Sequence, residues 1–292
     1  MNIKVGEPSG NPPAAYLVIN ADDYGYYAGV SRGILDAARH GLIRATGIMA
    51  NSEYFEEHVG WLDRVQGLDT GVHLNLTHGR PLSNHMHNAL EKWDGMFPGK
   101  YRIMGEVIAG RLSVSCIQKE WQAQIQRCID ANLEPVFLNT HEHLHMYPAL
   151  FKIIKNLADQ YSIPFVRYSG PEWGRWDGAG GMVRNTLLHV MHLFNRKQAP
   201  PGTPVLLGMS SSGKLDIPYM QECLTGLQPG VIYELMCHPG YYYPDEVTDQ
   251  RLLAYHHWEQ ELELLKSDKL KEMCVVAGVD CVSYRDILAI RG

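Results

Sequence analysis

The sequence predicts an α/β fold, a distorted β/α barrel of the TIM type with roughly eight parallel strands. Two observations support this prediction. Short apolar runs alternate with stretches of helical periodicity along most of the chain, and side chains suited to chemistry follow the ends of several apolar runs. Parallel strands need crossover connections, usually helices, and in a barrel the C-terminal strand ends meet at one face. An open doubly wound sheet is the alternative.

The strands are predicted from short apolar runs that are bounded by turn-forming residues. They are expected at 15–20, 45–50, 68–76, 135–140, 164–169, 204–209, 231–237 and 279–284.

The helices are predicted where apolar residues recur at spacings of three and four. The first has an apolar stripe from Val30 and stops near Gly41, and Pro148 suits the first turn of another. The others are expected at 113–132, 148–160, 181–195, 218–225 and 248–266, with Gly- and Pro-rich loops at 94–100, 170–181 and 198–204. Residues 1–14 are predicted to be a flexible leader, and residues 15–292 a single domain.

The composition argues against several classes of function. The chain has 292 residues, 45% of them hydrophobic and 20% charged, which is typical of a soluble globular protein. Its net charge of −6 argues against nucleic acid or an anionic membrane as a partner. There is no membrane-spanning apolar run, no signal-peptide pattern and no CxxC pair among the six cysteines. We therefore expect buried thiols in a cytoplasmic protein.

The first candidate site residues are Asp22 and Asp23, directly after the first strand. Successive side chains of an extended chain point opposite ways, so the two carboxylates can serve different partners. One could bind a metal while the other acts on a water. The alternative is a solvated turn, because Asp–Asp before Tyr–Gly is also good turn chemistry.

Histidines supply most of the other candidates. His73 lies in an alternating apolar run, where a buried structural histidine is the alternative, and Asn75 would share its face. His141, His143 and His145 follow the fourth strand. Three histidines within five residues favour a metal or catalytic role, because zinc and similar ions bind imidazole together with carboxylate. Some of them could instead support the ligands or line the cleft.

Several other histidines and a run of tyrosines are more ambiguous. His85 and His87 follow no strand, so we expect a mobile loop there. The tyrosines at 241–243 follow His238 and could form an aromatic wall for a sugar, or simply pack locally. Four further histidines lie on helical runs and are expected to be structural or exposed: His189, His192, His256 and His257.

Motifs of several other enzyme classes are missing. The sequence has no GxxxxGK[ST], no GxGxxG after the first strand, no HExxH and no GxSxG. Carboxylates and histidines are therefore the only strand-end chemistry.

Four segments, in order along the chain, resemble the YdjC-like family of carbohydrate deacetylases. The similarity runs from about residue 15 to the C-terminus, and the segments are LVINADDYGYYAGVSRGILDAARHGLIRATGIMAN, GVHLNLTHGRPL, THEHLHMYP and ELMCHPGY. The resemblance implies a barrel-like fold related to polysaccharide deacetylases. It also implies a metal-dependent enzyme that removes an acetyl group from a small N-acetylated sugar.

The resemblance implies roles for individual residues. Asp22 is similar to the family's catalytic base and His238 to its catalytic acid. The implied metal ligands are Asp23, His73 and His141, and the implied substrate-binding or supporting residues are His143, His145, Arg167, Asn75 and Tyr241. One divalent ion is expected, zinc or magnesium, with manganese, cobalt or iron as alternatives. A homo-oligomer is an open possibility apart from the resemblance, because homo-oligomers are common among soluble enzymes, but the sequence shows no interface.

Two positions depart from the family's pattern. The family commonly has an aspartate where this chain has Asn139, and its run of consecutive histidines is interrupted here by Glu142. Two alternative functions stay open at this point. A metal-dependent phosphohydrolase would prefer two or three clustered ions, and a non-catalytic sugar-binding relative would lack the base or a ligand.

Overall fold

The computed structural model describes residues 15–63, 65–172, 178–200 and 202–291, so the predicted leader at 1–14 lies outside the described residues. All eight predicted strands are present, with ends that differ from the prediction by up to four residues. They are β1 (Ala15–Tyr24), β2 (Ala45–Ile48), β3 (Asp69–Leu74), β4 (Phe137–Thr140), β5 (Phe165–Val166), β6 (Val205–Leu207), β7 (Val231–Cys237) and β8 (Val279–Cys281).

Every strand pairing in the sheet is parallel. The strand order is β5-β4-β3-β2-β1-β7-β6, and β8 pairs with the first residues of β1. The two edge strands, β5 and β6, do not pair with each other in the part of the chain that the structure describes. The predicted β/α barrel is confirmed as a distorted form that is not closed by strand pairing.

One side-chain contact shows that the sheet is strongly curled. Arg167 directly follows β5, yet its guanidinium bonds to Glu234 in the middle of β7. In a flat sheet these strands, five positions apart, would be separated by roughly 24 Å, beyond the reach of an arginine. The sheet must therefore curl so that its C-terminal strand ends surround a common centre.

The helices of the described residues lie along the connections between strands. They are α1 (Ala28–His40), α2 (Phe55–Leu62), α3 (Asn84–Ala89), α4 (Lys100–Ile108), α5 (Val114–Asp130), α6 (Pro148–Gln160), α7 (Gly178–Asn195), α8 (Ile217–Gly226), α9 (Gln250–Tyr255), α10 (Trp258–Lys266), α11 (Asp268–Val276) and α12 (Tyr284–Arg291). None of them is long and apolar enough to cross a membrane.

The single helix predicted at 248–266 is wrong, because two helices occupy this stretch. Asp249 caps α9, and the chain becomes extended at His256 before α10 begins. The break turns the His256 ring into the interior, where it is 8% exposed and stacks on Trp258 with ring centroids 5.1 Å apart. The sequence has no glycine or proline at the break between α9 and α10, and the packing of the His256 ring explains why the helix is interrupted there.

The loop predicted around His85 and His87 is also wrong, because both residues lie on α3. Ser83 caps this helix by accepting a hydrogen bond from the Met86 backbone, and the Met86 side chain is fully buried. His85 is exposed and lies 2.8 Å from the ammonium of Lys119. This second His-x-His pair therefore belongs to a packed surface helix.

The loop after β7 is held close to α1 by glycines. A Cβ at Gly33 would lie 2.4 Å from the Cα of Gly240, and a Cβ at Gly29 would lie 2.3 Å from the carbonyl oxygen of Tyr241. Only glycine allows backbones to approach this closely. The contact fixes the segment after His238 beside the helix that follows β1.

All six cysteines are free thiols, as expected. Four are buried and two, Cys223 and Cys281, are partly buried.

Candidate metal and catalytic site

The end of β1 turns two adjacent carboxylates in different directions. The pairing register of β1 shifts between Ala21 and Tyr24, and Asp23 has φ +69°, in the left-handed region. Aspartate adopts this conformation more readily than most residues, at a cost of roughly 1–2 kcal/mol. Asp22 and Asp23 are each only 2% exposed, so the solvated-turn alternative does not hold.

Asp23 lies in a compact group with two imidazoles. Its Oδ1 is 3.2 Å from Nε2 of His73 and 2.8 Å from Nδ1 of His141. One potential ligand atom from each residue lies within 4.8 Å of the others. In the part of the chain that the structure describes, this is the single group of three such residues. His73 is the last residue but one of β3 and His141 follows β4, so the C-terminal ends of β1, β3 and β4 bring the three together.

Hydrogen bonding leaves the His73 ring suited to bind a cation. Nδ1 of His73 is 2.7 Å from Oδ1 of Asn139, whose amide nitrogen donates to Asp22. A neutral His73 that donates from Nδ1 directs the lone pair of Nε2 towards the carboxylate of Asp23. Two acceptors that face each other at 3.2 Å require a proton or a cation between them. The donor set therefore fits a divalent ion.

The pKa values of Asp23 and His141 are shifted in opposite directions. Burial raises the pKa of Asp23, but the charge and hydrogen bond of His141, together with His73, hold it well below the usual value. Burial lowers the pKa of His141, but the Asp23 carboxylate raises it to about 9. Without metal, the pair is held together by a proton on His141.

Asp22 lies in a different network, built around a permanent cation. Arg167 donates from Nη1 to Oδ2 of Asp22 at 2.5 Å and from Nη2 to Oδ1 at 2.9 Å. Amide nitrogens of Asn20 and Asn139 also donate to Oδ1. Oδ1 thus accepts three hydrogen bonds and Oδ2 accepts one. A carboxylate oxygen has about two lone pairs, so Oδ2 keeps the free acceptor position.

Glu234 completes this network on the side of β7. It is 1% exposed and accepts from Nε of Arg167 at 2.8 Å, from Nη2 at 2.6 Å and from the amide of Asn20 at 3.2 Å. Burial raises the pKa of Asp22, but Arg167 and then His73 hold it below its usual value. Asp22 is therefore ionised at neutral pH although it is buried.

His238 approaches the same face from the end of β7. Its backbone nitrogen donates to the buried carboxylate of Glu261 at 2.6 Å, and its ring is 7% exposed. Among the described residues, nothing bonds to its buried Nδ1. The charged form of His238 would also lower the pKa of Asp22. Its ring centroid lies 5.0 Å from that of His256.

The three histidines after β4 separate, because Glu142 and His143 both have positive φ values, +58° and +56°. Nδ1 of His143 is 2.8 Å from the hydroxyl of Ser169. The His145 ring is fully buried, 2.6 Å from the Thr140 hydroxyl and 3.0 Å from the carbonyl oxygen of Arg167. Only His141 joins the metal group.

Burial keeps the other two histidines of this cluster neutral. It lowers the pKa of His145 to about 3 and that of His143 well below the usual value, with further lowering by Arg167. His145 supports the backbone of Arg167 and is too buried to contact a substrate.

Two residues that were expected near the substrate are used elsewhere. The Asn75 side chain donates to Asn51 and to the carbonyl of His78, and accepts from the backbone of Thr77, so it organises the turn after β3. The hydroxyl of Tyr241 donates to Asp36 of α1 at 2.7 Å. These placements argue against direct substrate contact by either side chain.

Several residues at the site were missed by sequence reasoning. Glu234 had a detectable signal, because a glutamate inside an apolar strand needs a buried partner. Tyr26 and His78 had none. The ring of Tyr26 lies 4.5 Å from that of His78 and 5.5 Å from that of His141, so these two aromatic rings pack beside the Asp–His–His group.

The fold and the site together define a class: an α/β protein with a curled parallel sheet that carries an Asp–His–His group and a separate ionised aspartate at its C-terminal edge. The comparisons identify its family. The model of the YdjC-like protein family matches residues 16–275. The chain therefore belongs to this family, as its four sequence segments predicted.

Two curated relatives align with most of the chain, and a third aligns with about half of it. A carbohydrate deacetylase of Clostridium beijerinckii is 25% identical over 93% of this chain and 99% of its own length. A chitooligosaccharide deacetylase of Serratia marcescens is 25% identical over 93% of this chain and 98% of its own length. A carbohydrate deacetylase of Brevibacillus brevis is 36% identical, but the aligned part is 52% of this chain and 58% of that protein.

A solved structure supports the fold. The crystal structure of a putative cellobiose-phosphate cleavage protein from Enterococcus faecalis superimposes with a TM-score of 0.70. It covers 94% of this chain and 98% of its own, at 22% sequence identity. This likeness shows that the curled β/α sheet is shared.

Proposed function

We propose that the chain is a metal-dependent carbohydrate deacetylase that hydrolyses the acetamide group of a small N-acetylated sugar to acetate and a free amine. The observation that carries the proposal is the pair at the end of β1, where Asp23 contacts two imidazoles and Asp22 is held ionised by Arg167. The names of the relatives agree with this reaction.

Asp23, His73 and His141 would hold one divalent ion. One carboxylate and two neutral imidazoles would leave a net charge near +1 at the site. When bound, the ion polarises the acetyl carbonyl, lowers the pKa of a water and stabilises the developing oxyanion. Two imidazoles among three protein ligands favour zinc or a similar transition metal over magnesium, which prefers oxygen ligands.

Asp22 would take the proton of the attacking water at Oδ2. Three donors occupy Oδ1, whereas Oδ2 accepts from Arg167 alone among the described residues. The same guanidinium keeps the carboxylate ionised and fixes its plane. A carboxylate stabilised in this way is a weak base, which suits a group that passes the proton on rather than retaining it.

His238 would donate a proton to the leaving amine. An amide nitrogen leaves poorly without a proton, and an imidazolium can supply one near neutral pH. His143 and His145 are less suited, since burial keeps both neutral. His238 lies at a strand end of the same face, and its electrostatic influence reaches Asp22.

The alternatives have less support. A phosphohydrolase with two or three ions would need more ligands than the single Asp–His–His group of the described residues offers. A non-catalytic relative would lack the base or a ligand, and here the base, the three ligands and the acid candidate are all present. The cytoplasmic location and a homo-oligomer stay predictions from the sequence.

Acetate release tests the proposal. Metal-loaded protein should release acetate from N-acetylated mono- or oligosaccharides, while the Asp22→Asn variant should bind the metal and release little. Phosphate release from sugar phosphates, with no acetate from any N-acetylated sugar, would favour the phosphohydrolase.

A further inference from the structure

We propose that Asn139 is a positioning residue that couples the metal ligand His73 to the base Asp22. The amide of Asn139 determines which ring nitrogen of His73 faces the Asp–His–His group. It also determines which carboxylate oxygen of Asp22 is free to accept a proton from water. The kinetic part of this inference rests on the proposed function, whereas its structural part does not.

The position of Asn139 explains its contacts with His73 and Asp22. It lies in β4 beside β3, paired with His73 in the strand register, and is fully buried. Its Nδ2 donates to Oδ1 of Asp22 at 2.9 Å, and its Oδ1 is 2.7 Å from Nδ1 of His73. An ionised carboxylate only accepts hydrogen bonds, so the amide nitrogen must face Asp22 and the amide oxygen must face His73.

The first consequence concerns the tautomer of His73. An amide oxygen has no hydrogen to donate, so Nδ1 of His73 must carry the proton. Nε2 is then left with its lone pair, 3.2 Å from Oδ1 of Asp23, at the place where a ligand atom is needed. Hydrogen bonds of this kind to the second ring nitrogen fix the orientation of metal-binding histidines.

The second consequence concerns Asp22. The amide nitrogen of Asn139 is one of three donors that occupy Oδ1, together with those of Asn20 and Arg167. These bonds leave Oδ2 as the oxygen with a free acceptor position. Asn139 thereby orients the base without adding charge to it.

The neighbouring charges distinguish the amide of this chain from the aspartate that the family commonly has at this position. Arg167 already lies between two buried carboxylates, those of Asp22 and Glu234. An aspartate at 139 could still accept from His73, but it would place a further carboxylate beside Oδ1 of Asp22. Like charges at hydrogen-bonding distance cannot both ionise without a large cost.

Two substitutions separate the two contacts. Asn139→Asp keeps an acceptor for His73 and removes the donor to Asp22. Asn139→Leu has a similar size and removes both contacts. Metal affinity, measured by calorimetry with zinc, should fall by roughly 10–100-fold in Asn139→Leu and by only a few-fold in Asn139→Asp. Turnover should fall at least about tenfold in both variants, because both disturb the base.

A double variant measures the interaction between Asn139 and Asp22 through thermal stability, without an assay of activity. Asn139→Asp should lower the melting temperature of the metal-free protein at pH 7, since it sets two carboxylates against each other. Adding Asp22→Asn should recover most of that loss, because an amide and a carboxylate then face each other again. This recovery is a pairwise interaction that a double-mutant cycle isolates.

Asn195→Leu is the matched control. Asn195 is equally buried and donates from its amide to the carbonyl of Met146, and this hydrogen bond does not involve Asp22, Asp23, His73 or His141. Its substitution should lower the melting temperature and leave zinc affinity unchanged.

Three results would overturn the inference. They are unchanged zinc affinity in Asn139→Leu, a loss in Asn139→Asp as large as in Asn139→Leu, and no recovery of stability in the double variant. If the wild-type protein released no acetate from any sugar while the zinc and stability results held, the deacetylase proposal would fail and the role of Asn139 would stand.

Discussion

Asp22 and Asp23 are adjacent in sequence and equally buried, yet their side chains lie in two regions that differ in the charged groups around them. Asp22 faces a guanidinium that stays protonated at every accessible pH, and burial does not change this because Asp22 and Glu234 raise the pKa of Arg167. Asp23 faces two imidazoles, which can lose their protons. The first region holds a carboxylate ionised in a fixed position. The second can exchange a proton for a metal ion.

The difference teaches how one strand end can supply two chemical roles. A single left-handed residue, Asp23, redirects its own side chain away from the network of Asp22. Each carboxylate then acquires the partners that its new direction offers. The predictions below change one region and ask whether the other responds.

The largest effect is expected when the metal region is broken. His141→Ala removes a proposed ligand and should abolish metal binding. Acetate release should fall at least about 10³-fold, because an ion contributes several kcal/mol to the transition state. Metal content by elemental analysis and acetate release should be measured together. Chelation of the wild-type protein should have the same effect and be reversed by added metal. A His141→Ala variant that retains stoichiometric metal would place the ion elsewhere.

Breaking the base should leave the metal in place. Asp22→Asn is nearly isosteric and cannot take a proton, so turnover should fall by roughly 10²–10⁴-fold while metal content stays near that of the wild type. The contrast with His141→Ala, which loses both, is the test of the comparison. Near-normal turnover would move the base to another group, with Glu142 as the first candidate.

The proton donor is tested by the leaving group. His238→Asn should slow hydrolysis of N-acetylated sugars by roughly 10²-fold or more, because the amine must leave protonated. Activated acetate esters need no such proton and should be affected far less. Equal losses on amide and ester substrates would show that His238 binds or packs rather than donates.

The role of Arg167 is tested by its effect on the free energy of unfolding. Arg167→Met leaves Asp22 and Glu234 buried without their partner, and loss of one partner of a buried ion pair costs about 3–5 kcal/mol. Urea denaturation of the metal-free protein at pH 7 measures this loss. The same substitution combined with Glu234→Gln should lose less, since one uncompensated charge is removed. Equal losses in both variants would mean that Glu234 is not part of the network.

The smallest effect is a pH dependence confined to the Asp23 region. The pKa of His141 is raised to about 9, so its pairing with Asp23 stabilises the metal-free protein fully below pH 6.5, and this contribution is lost as the pH rises through about 9. A metal must displace that proton, so metal affinity should rise up to about tenfold per pH unit between pH 6 and 8. Calorimetry in buffers of different ionisation enthalpy would detect the released proton, and a flat affinity over this range would contradict the idea.

Much of the fold and part of the site were predictable from the sequence. The periodicity of apolar residues predicted all eight strands, because burial of a strand depends mainly on its own side chains. Polar residues at the ends of β1, β3, β4 and β7 predicted where chemistry would gather, because parallel strands place their C-terminal ends at one edge. The four motif segments also predicted the family.

Tertiary structure alone decided how these residues divide their work. Glu234 pairs with Arg167 from 67 positions away, and Asn139 reaches Asp22 across 117 positions, which no local pattern can report. In an extended chain, successive side chains would simply alternate between two faces. The left-handed conformations of Asp23 and Glu142 instead turn their side chains, and those of the residues beside them, in directions that this alternation does not predict. The periodicity of apolar residues reports which side chains are buried and which are exposed. The hydrogen-bond partners, histidine tautomers and charge states of the site depend on groups that only the folded chain brings together.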